Sequence, residues 1–487
     1  MREILRGTGF LLHIPGIMAL VSLPVAAWAD EGWAFANLLF TAALALVAGQ
    51  GLVWSSRGAG GFQRYQSMLI AALSWVLIAA IGALPLWLAA QAPAAMAGAA
   101  TSFHTPAHAL FESVSGFTST GLSVVERASR LPAHIQWWRS LSQWVGGIGV
   151  ILLLLAILPA ERGAINLYFS EAREEKILPT VKSTVRAIWG IYLAYTLIAV
   201  GLLWLAGEPG WRALNHGMTA IATGGFTITD QSLVNTPPRV QLAYLPIMLA
   251  GAVSFVIHYR LIVERVAPAE LWRMAELRLL LWVTVGGAAL LLVERWLTVG
   301  DGGGLTTVFV WVSAVTTAGF TASDLSGWGD GPLLMVLLAL IMGGMAGSTS
   351  GGVKLLRVSL LLKDLLAQLR QLRATPHQVV VLRHDSERVS PERMAELGRI
   401  ASRLVGMFML LWLLGVLIML HGVPADTRLG HVFFDTASAL FNSGLATGVA
   451  GPGLGTGPSL VLSALMLLGR LEIFPLLVLA AWAAGRR

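Results

Sequence analysis

Four short phrases centred on glycine recur along the chain, and their residues are suited to binding a cation. They occupy residues 118–123, 222–227, 316–321 and 441–446, with central glycines Gly121, Gly225, Gly319 and Gly444. A cation leaving water needs oxygen ligands in place of its hydration shell, and backbone carbonyls can supply them. Glycine suits such a loop because it allows unusual backbone angles and close packing around an axis. The fourfold recurrence predicts one pore ringed by four loops of a single chain.

The repeats also match at fixed offsets. The glycines are 104, 94 and 125 residues apart (225−121, 319−225, 444−319). Six residues before each glycine stands a hydroxyl residue, in order Ser115, Thr219, Ser313 and Ser438, and ten before stand Phe111, Asn215, Phe309 and Phe434. A single copy could be a simple turn between helices, but shared offsets favour a common role. Asn442 and Ala446 depart from the pattern of the first three copies, so the ring is predicted to be imperfectly symmetric.

The composition is that of a membrane protein. Hydrophobic residues make up 56% of the chain and charged residues 12%, and the mean hydropathy is +0.72. Cysteine is absent, which excludes disulfides, thiolate metal sites and cysteine nucleophiles. The formal net charge of +7 is attributed to basic cytoplasmic loops, so the expected surroundings are membrane lipid and no nucleic-acid partner is predicted.

Ten apolar segments are long enough to cross a bilayer, which takes about 20 residues of helix. They are residues 8–29, 34–54, 67–91, 136–159, 185–206, 239–262, 278–298, 332–360, 400–421 and 458–484. An even number of spans places both termini on the same side of the membrane. The basic stretches 161–186, 259–278 and 357–403 fall on that side too, so the positive-inside rule makes it cytoplasmic. We therefore expect a multi-pass protein of the bacterial inner membrane with both termini in the cytoplasm.

Four shorter apolar stretches lie between these spans, and each ends at a glycine phrase. They are residues 106–117, 211–222, 305–317 and 428–441. Each is interpreted as a re-entrant half-helix whose carbonyl end, carrying about half a negative charge, points at the centre and favours cations. The predicted fold is an all-α membrane protein with four pseudo-symmetric helix–pore-helix–helix repeats around a central pore. The predicted units are an N-terminal hairpin (1–60) and pore repeats one (61–165), two (180–265), three (275–370) and four (395–487).

The N-terminal segment has two interpretations. Basic residues, an apolar run and the stretch 27–29 before Asp30 resemble a signal peptide with its cleavage site. The alternative is a retained helix that pairs with the span 34–54. Retention is favoured because a second long apolar run follows at once and completes a hairpin.

The span 332–360 contains too many glycines to remain a regular helix, since each costs about 1 kcal/mol relative to alanine. A broken helix beneath the ring could form a movable obstruction, although close helix packing is the other explanation for the glycines. The residues assigned to this candidate gate are Gly343, Gly344, Gly347, Ser348, Thr349, Ser350, Gly351, Gly352 and Lys354. Lys354 is expected to help hold the closed form.

Arg470 lies inside the last apolar span, where a charge is costly and usually faces an interior or aqueous path. It is predicted to carry a pore charge that tunes cation passage. The alternative is a buried ion pair with Glu112 or Asp435 that only braces the helices. Those two acidic residues stand nine before Gly121 and Gly444, and we expect them to anchor the half-helices rather than bind the ion.

At these residues the chain resembles the TrkH/KtrB branch of the potassium transporter superfamily that includes plant HKT proteins. Further matches lie at residues 143–149, 346–354 and 469–474. The resemblance implies potassium uptake, a homodimer, and gating by a cytosolic nucleotide-binding ring of the TrkA/KtrA type. It implies a potassium-binding filter of Ser119, Thr120, Gly121, Thr223, Gly224, Gly225, Thr317, Ala318, Gly319, Asn442, Ser443 and Gly444. Potassium is then the substrate, with no metal elsewhere and no covalently bound cofactor. Glycine at position 121, where members with serine tend towards sodium, points to potassium.

Two alternatives remain open. A sodium or mixed monovalent-cation symporter would share the fold. A metal-dependent membrane enzyme could use His104, His108 and Glu112 as zinc ligands, but Pro106 is expected to start the helix and leave His104 outside it. The basic stretch 357–403 could dock a cytosolic partner or face anionic lipid.

Overall fold

The computed structural model describes residues 1–61, 63–149, 180–373, 382–384 and 387–485. The helices before residue 263 are Arg2–Trp28 (α1), Ala34–Ser55 (α2), Arg64–Ala90 (α3), Ala94–Ala97 (α4), Pro106–Phe117 (α5), Ala133–Ile148 (α6), Val181–Leu205 (α7), Gly210–Ile221 (α8), Pro238–Ala252 (α9) and Phe255–Ile262 (α10). Those after it are Pro268–Leu271 (α11), Ala275–Val299 (α12), Gly304–Thr316 (α13), Asp330–Met342 (α14), Leu355–Arg373 (α15), Pro391–Met419 (α16), Leu429–Leu440 (α17), Thr456–Arg470 (α18) and Phe474–Ala483 (α19). Short 3-10 turns occupy Gly98–Phe103, Ala128–Arg130 and Leu325–Gly327.

The predicted all-α class with four helix–pore-helix–helix repeats is confirmed, with one small addition. Leu382–His384 (β1) and Glu387–Val389 (β2) form an antiparallel two-stranded hairpin in which Leu382 pairs with Val389. This hairpin interrupts the charged stretch between the third and fourth repeats, where residues 382–389 show no alternating apolar pattern.

The four short helices that enter the protein are α5, α8, α13 and α17. Their observed bounds differ by no more than one residue from the predicted half-helices. Helix α5 begins as expected, since Pro106 takes its first position and the Thr105 side chain accepts a hydrogen bond from the His108 amide at 3.2 Å. His104 consequently lies outside the helix.

Within the described residues, six helices are long and apolar enough to cross a membrane, or up to eight spans if each bent pair counts as one. The predicted spans 239–262 and 458–484 each consist of two helices joined at a sharp bend. Helices α9 and α10 meet at 102°, and α18 and α19 meet at 117°. At the second bend Glu472 and Ile473 have φ values of +52° and +72°, which an α-helix cannot contain. The predicted span 136–159 is described only as far as residue 149, and its remainder lies outside the described residues.

The N-terminal hairpin is tied to the first repeat by Glu31, in the turn between α1 and α2. Its carboxylate accepts hydrogen bonds from the backbone amides of Ala133 at 2.6 Å and His134 at 3.0 Å, and it also pairs with the His134 ring. It therefore caps the N-terminus of α6. Burial would raise the pKa of the Glu31 carboxyl, but the hydrogen bonds from His134 and Ala133 outweigh it and hold the pKa below its ordinary value.

Candidate functional site

The four central glycines meet in a closed ring. A Cβ added to Gly121 would lie 3.3 Å from the Cα of Gly225, and one on Gly225 would lie 2.8 Å from the Cα of Gly319. A Cβ on Gly319 would lie 3.3 Å from Gly444, and one on Gly444 would lie 3.2 Å from Gly121. All four have φ between +78° and +95°. The loops therefore pack around one axis in sequence order, at a separation that no side chain could occupy.

Each ring glycine also faces a carbonyl oxygen of the neighbouring loop. The oxygens belong to the residues one before each glycine, namely Gly224, Ala318, Ser443 and Thr120, at 2.1, 2.9, 2.7 and 2.1 Å from the added Cβ atoms. Backbone oxygens from all four loops thus lie around the same small space. Such a collar can replace the hydration shell of a cation.

The shared offsets of the sequence have a structural cause. In every repeat, the backbone amide of the residue just before the glycine donates a hydrogen bond to the backbone carbonyl of the residue six before the glycine, at 2.8–2.9 Å. The carbonyls are those of the hydroxyl residues Ser115, Thr219, Ser313 and Ser438. The residue two before the glycine adopts the left-handed conformation in all four loops, with φ of 48–52° for Ser119, Thr223, Thr317 and Asn442. This reversal ends each pore helix and turns the chain into the ring. Asn442, which broke the sequence pattern, keeps the same backbone.

Acidic or imidazole side chains anchor three of the four loops from within the pore helices. Glu112 accepts hydrogen bonds from the Val124 amide at 3.1 Å and the Ser123 hydroxyl at 2.8 Å. Asp435 accepts one from the Thr447 amide at 2.7 Å. His216, at the equivalent position, accepts one from the Ile228 amide at 3.1 Å. Glu112 and Asp435 therefore tie the pore helices of the first and fourth repeats to the segments that follow Gly121 and Gly444, which agrees with the expectation that they anchor the half-helices.

A second charged group completes the first anchor. Arg139 of α6 donates to Glu112 at 2.8 Å and to the Thr227 carbonyl at 3.0 Å. Its guanidinium lies 4.1 Å from the centre of the Phe226 ring. Both charged side chains are buried, with 3% and 1% of their surface exposed. Arg139 thus links the first loop to the second.

A cavity of about 370 Å³ opens above the ring, on the side from which the pore helices enter. All four ring glycines line it, together with Asp230, Asp324 and hydroxyl residues of the segments that follow the glycines. This cavity forms an outer mouth that exposes the ring to a polar space.

The segment from 343 to 354, which we call the break, separates α14 from α15 and lies against the opposite side of the ring. The Gly351 amide donates to the Thr317 hydroxyl at 2.6 Å, and the Gly352 amide donates to the Phe441 carbonyl at 2.8 Å. The Thr349 hydroxyl donates to the Gly251 carbonyl at 2.8 Å. The break therefore touches the second, third and fourth repeats at once.

The glycines of the break allow it to fold back on itself. A Cβ on Gly343 would lie 2.3 Å from the Gly351 carbonyl oxygen, and one on Gly352 would lie 2.4 Å from the Cα of Gly343. Lys354 has a φ of +78°, a strained conformation for a residue with a side chain, and its ammonium group donates to the Ser350 carbonyl. The break is therefore a compact segment with strained backbone that lies beside the ring of carbonyls.

Arg470, at the end of α18, lies beside the break and crosses to the first repeat. Its guanidinium donates to the Thr349 carbonyl at 3.3 Å, to the Gly147 carbonyl at 2.8 Å, and to the Gly146 carbonyl. The alternative of an ion pair with Glu112 or Asp435 is wrong, because Glu112 pairs with Arg139 and Asp435 binds backbone amides. Glu472, two residues further on, pairs with Arg357 instead.

The predicted filter and gate residues thus converge on one axis, with the break on one side of the ring and the outer mouth on the other. A cavity of about 50 Å³ lies beneath the ring, lined by Ser348, Ser350, Lys354, Asn442 and Arg470 among others. No role was predicted from the sequence for Arg139, nor for Gln143, the first residue of the matching segment 143–149. Arg139 could have been flagged as a charge in an apolar span. In the part of the chain that the structure describes, no group of three or more His, Asp or Glu residues is placed to hold a metal ion.

A pore-helix fold with four loops closing a carbonyl ring defines a membrane cation-transport protein. The family model named TrkH, described as a cation transport protein, matches residues 36–299 and 302–484. The chain therefore belongs to the TrkH family of cation transport proteins, which are transporters and not enzymes.

Individual relatives agree along almost the whole chain. The Trk system potassium uptake protein TrkH of Halomonas elongata is 32% identical, and the alignment covers 100% of both chains. The protein of the same name from Salmonella typhimurium is 31% identical over 98% of both. The crystal structure of the potassium transporter TrkH from Vibrio parahaemolyticus is 27% identical and matches with a TM-score of 0.82 over 98% of both chains.

Proposed function

We propose that this chain takes up potassium across the inner membrane of a bacterial cell through the ring of four glycine loops. The observation that carries the proposal is the closure of that ring, in which Gly121, Gly225, Gly319 and Gly444 bring four sets of backbone oxygens together. The names of the Halomonas and Salmonella relatives and of the Vibrio structure support potassium as the ion. The filter consists of the twelve residues at and just before the four glycines, and no other metal or cofactor takes part.

The break is proposed as the gate. Its contacts with three repeats, and the bridge from Arg470 to Thr349, hold it against the inner side of the ring. A cytosolic nucleotide-binding ring of the TrkA/KtrA type, acting on a homodimer of this chain, would displace the break to open the path. The distribution of basic loops favours a cytoplasmic position for both termini, on the side of such a partner. The repeat boundaries given above remain part of this proposal.

Flux through vesicles of purified full-length protein tests the proposal. Potassium, rubidium and sodium gradients are imposed in turn, and the uptake of each ion is compared with that of empty vesicles. Potassium and rubidium uptake well above sodium uptake is expected. Sodium uptake equal to or above that of potassium would replace the proposal with the sodium or mixed-cation symporter.

A further inference from the structure

The side-chain amide of Gln143 contacts two loops of the ring at once. Gln143 lies on α6 and is fully buried, with 0% of its surface exposed. Its Nε2 donates to the Gly224 carbonyl at 2.5 Å, and its Oε1 accepts a hydrogen bond from the Phe226 amide at 3.0 Å. Its own backbone carbonyl accepts one from the Ser119 hydroxyl at 2.9 Å. One residue therefore fixes the spacing between loops one and two.

The carbonyl that Gln143 binds is a member of the ring. The Gly224 oxygen is the one that lies 2.1 Å from a Cβ added to Gly121. The matching oxygens in the other loops belong to Thr120, Ala318 and Ser443. Within the described residues, the Gly224 oxygen is the one of these four that accepts a hydrogen bond from a side-chain amide. The ring is therefore chemically unequal at this corner.

The fourth repeat has no side-chain amide at the position equivalent to Gln143. The Asn442 side chain donates to the Met466 carbonyl at 2.9 Å, just as Ser119 donates to that of Gln143, and both pairs are 24 residues apart. Met466 is thus the counterpart of Gln143, and a thioether cannot donate a hydrogen bond.

Gly224 is itself adapted to this amide. It is the one glycine at a position that Thr120, Ala318 and Ser443 fill in the other loops. A Cβ there would lie 2.4 Å from the Oε1 of Gln143. The glutamine and the glycine form a matched pair.

We propose that Gln143 is a specificity-determining residue of the ring, acting by position and not by contact with the ion. A smaller cation requires shorter distances to its ligands, and a carbonyl held by the buried amide cannot move inward to provide them. The hydrogen bond also draws electron density from that oxygen, which weakens its field. Both effects disfavour sodium relative to potassium. The inference rests on the proposed potassium function and names a residue that sets its selectivity.

Replacing Gln143 by methionine, the residue of the fourth repeat, tests this inference. Gln143→Met keeps the length and packing of the side chain and removes both of its hydrogen bonds. The sodium-to-rubidium uptake ratio of full-length protein in vesicles is expected to rise roughly three- to tenfold, the equivalent of about one net hydrogen bond. Ser140→Ala on the same helix is the control, because the Ser140 hydroxyl donates only within α6, to Gln136 at 3.1 Å. Its ratio is expected to remain that of the unmodified protein.

A second variant covers the case in which Gln143→Met does not fold. Gln143→Glu keeps the shape and the acceptor for the Phe226 amide, but it presents a second oxygen to the Gly224 carbonyl. Only a protonated carboxyl can donate there, and burial raises a carboxyl pKa by up to about 3–5 units, so the ratio of this variant should rise as the pH is raised from about 6 to about 10 more than it does in the unmodified protein.

The outcomes separate this inference from the proposed function. Unmodified protein without potassium or rubidium uptake would contradict the proposed function. Selective unmodified protein together with an unchanged ratio in folded Gln143→Met, or a pH-independent Gln143→Glu, would overturn the role of Gln143 alone.

Discussion

Thr317 and Gly351 are joined by a hydrogen bond of 2.6 Å from the backbone amide of the glycine to the hydroxyl of the threonine. Thr317 belongs to the third loop of the ring and Gly351 to the break, so the ring and its proposed gate are in direct contact. Thr317 is also one of the four residues held in the left-handed conformation. Movement of the break must therefore begin by breaking a bond to a loop of the ring itself.

Removing this hydroxyl should loosen the break. Thr317→Val keeps the volume of the side chain and deletes its acceptor, leaving the Gly351 amide without this partner at a cost of about 1–3 kcal/mol. Basal rubidium flux in vesicles, without any cytosolic partner, is expected to increase severalfold. Thr316→Val is the matched control, because the Thr316 hydroxyl donates within its own helix to Val312 at 2.7 Å. Equal flux in the two variants would count against the break as a gate.

A side chain added at Gly121 should displace the neighbouring loop of the ring. Gly121→Ser places a Cβ 2.1 Å from the Gly224 oxygen at a φ of +95°, so the second loop must shift outward. We expect lower potassium uptake and a higher sodium-to-potassium ratio in vesicle flux. Gly327→Ser, at a site where an added Cβ meets no atom within 4 Å, is the control. An unaltered ratio in folded Gly121→Ser would remove the first loop from the filter.

The buried pair of Arg139 and Glu112 should matter for stability as well as for the ring. Glu112→Gln leaves the guanidinium uncompensated in a buried site, which typically costs about 3–5 kcal/mol. A clear fall in the thermal unfolding midpoint of detergent-purified protein is expected. Glu396→Gln breaks an exposed pair with Arg393, for which a change of no more than about 1 kcal/mol is expected. Similar thermal unfolding midpoints for the two variants would contradict the claim that the buried pair of Arg139 and Glu112 stabilises the protein more than an exposed pair does.

The cap at Glu31 predicts a pH dependence. The lowered pKa of its carboxyl means that the folded protein favours the ionised form, so its stabilising effect is present above the ordinary value of 4.5 and is lost as the pH falls through the folded value. Glu31→Gln should therefore unfold at a lower temperature than the unmodified protein near neutral pH. Thermal melts repeated at decreasing pH should show the two midpoints converging below about pH 4.5. A gap that stays constant or widens with acid would show that ionisation of Glu31 does not stabilise the cap.

The pore helices could be predicted closely from the sequence because two signals coincide at each one. An apolar run too short to cross the membrane gives the length, and the glycine phrase marks the end. The bends after α9 and α18 were not predicted, although Ser254, Arg470 and Glu472 interrupt the apolar runs there, because an interruption does not specify a change of direction. Hydrophobicity reports the surroundings of a segment and not its direction.

The hydrogen bonds between repeats could not be predicted from the sequence either. Gln143 reaches Gly224, 81 residues away, and Arg139 reaches Thr227, 88 residues away. No local sequence pattern predicts these contacts, because they depend on the packing of α6 against the second loop. Arg139 and Gln143 lie four residues apart on α6, and both contact the second loop.

A ring formed by one polypeptide differs in an important way from a ring of four identical subunits. In a homotetramer every mutation changes all four corners together, so a corner cannot be adjusted without its copies. Here the corner that holds Gly224 and the one that holds Asn442 are encoded separately, and each can change while the other three are preserved. Selectivity in such a protein can evolve in steps of one quarter of the ring.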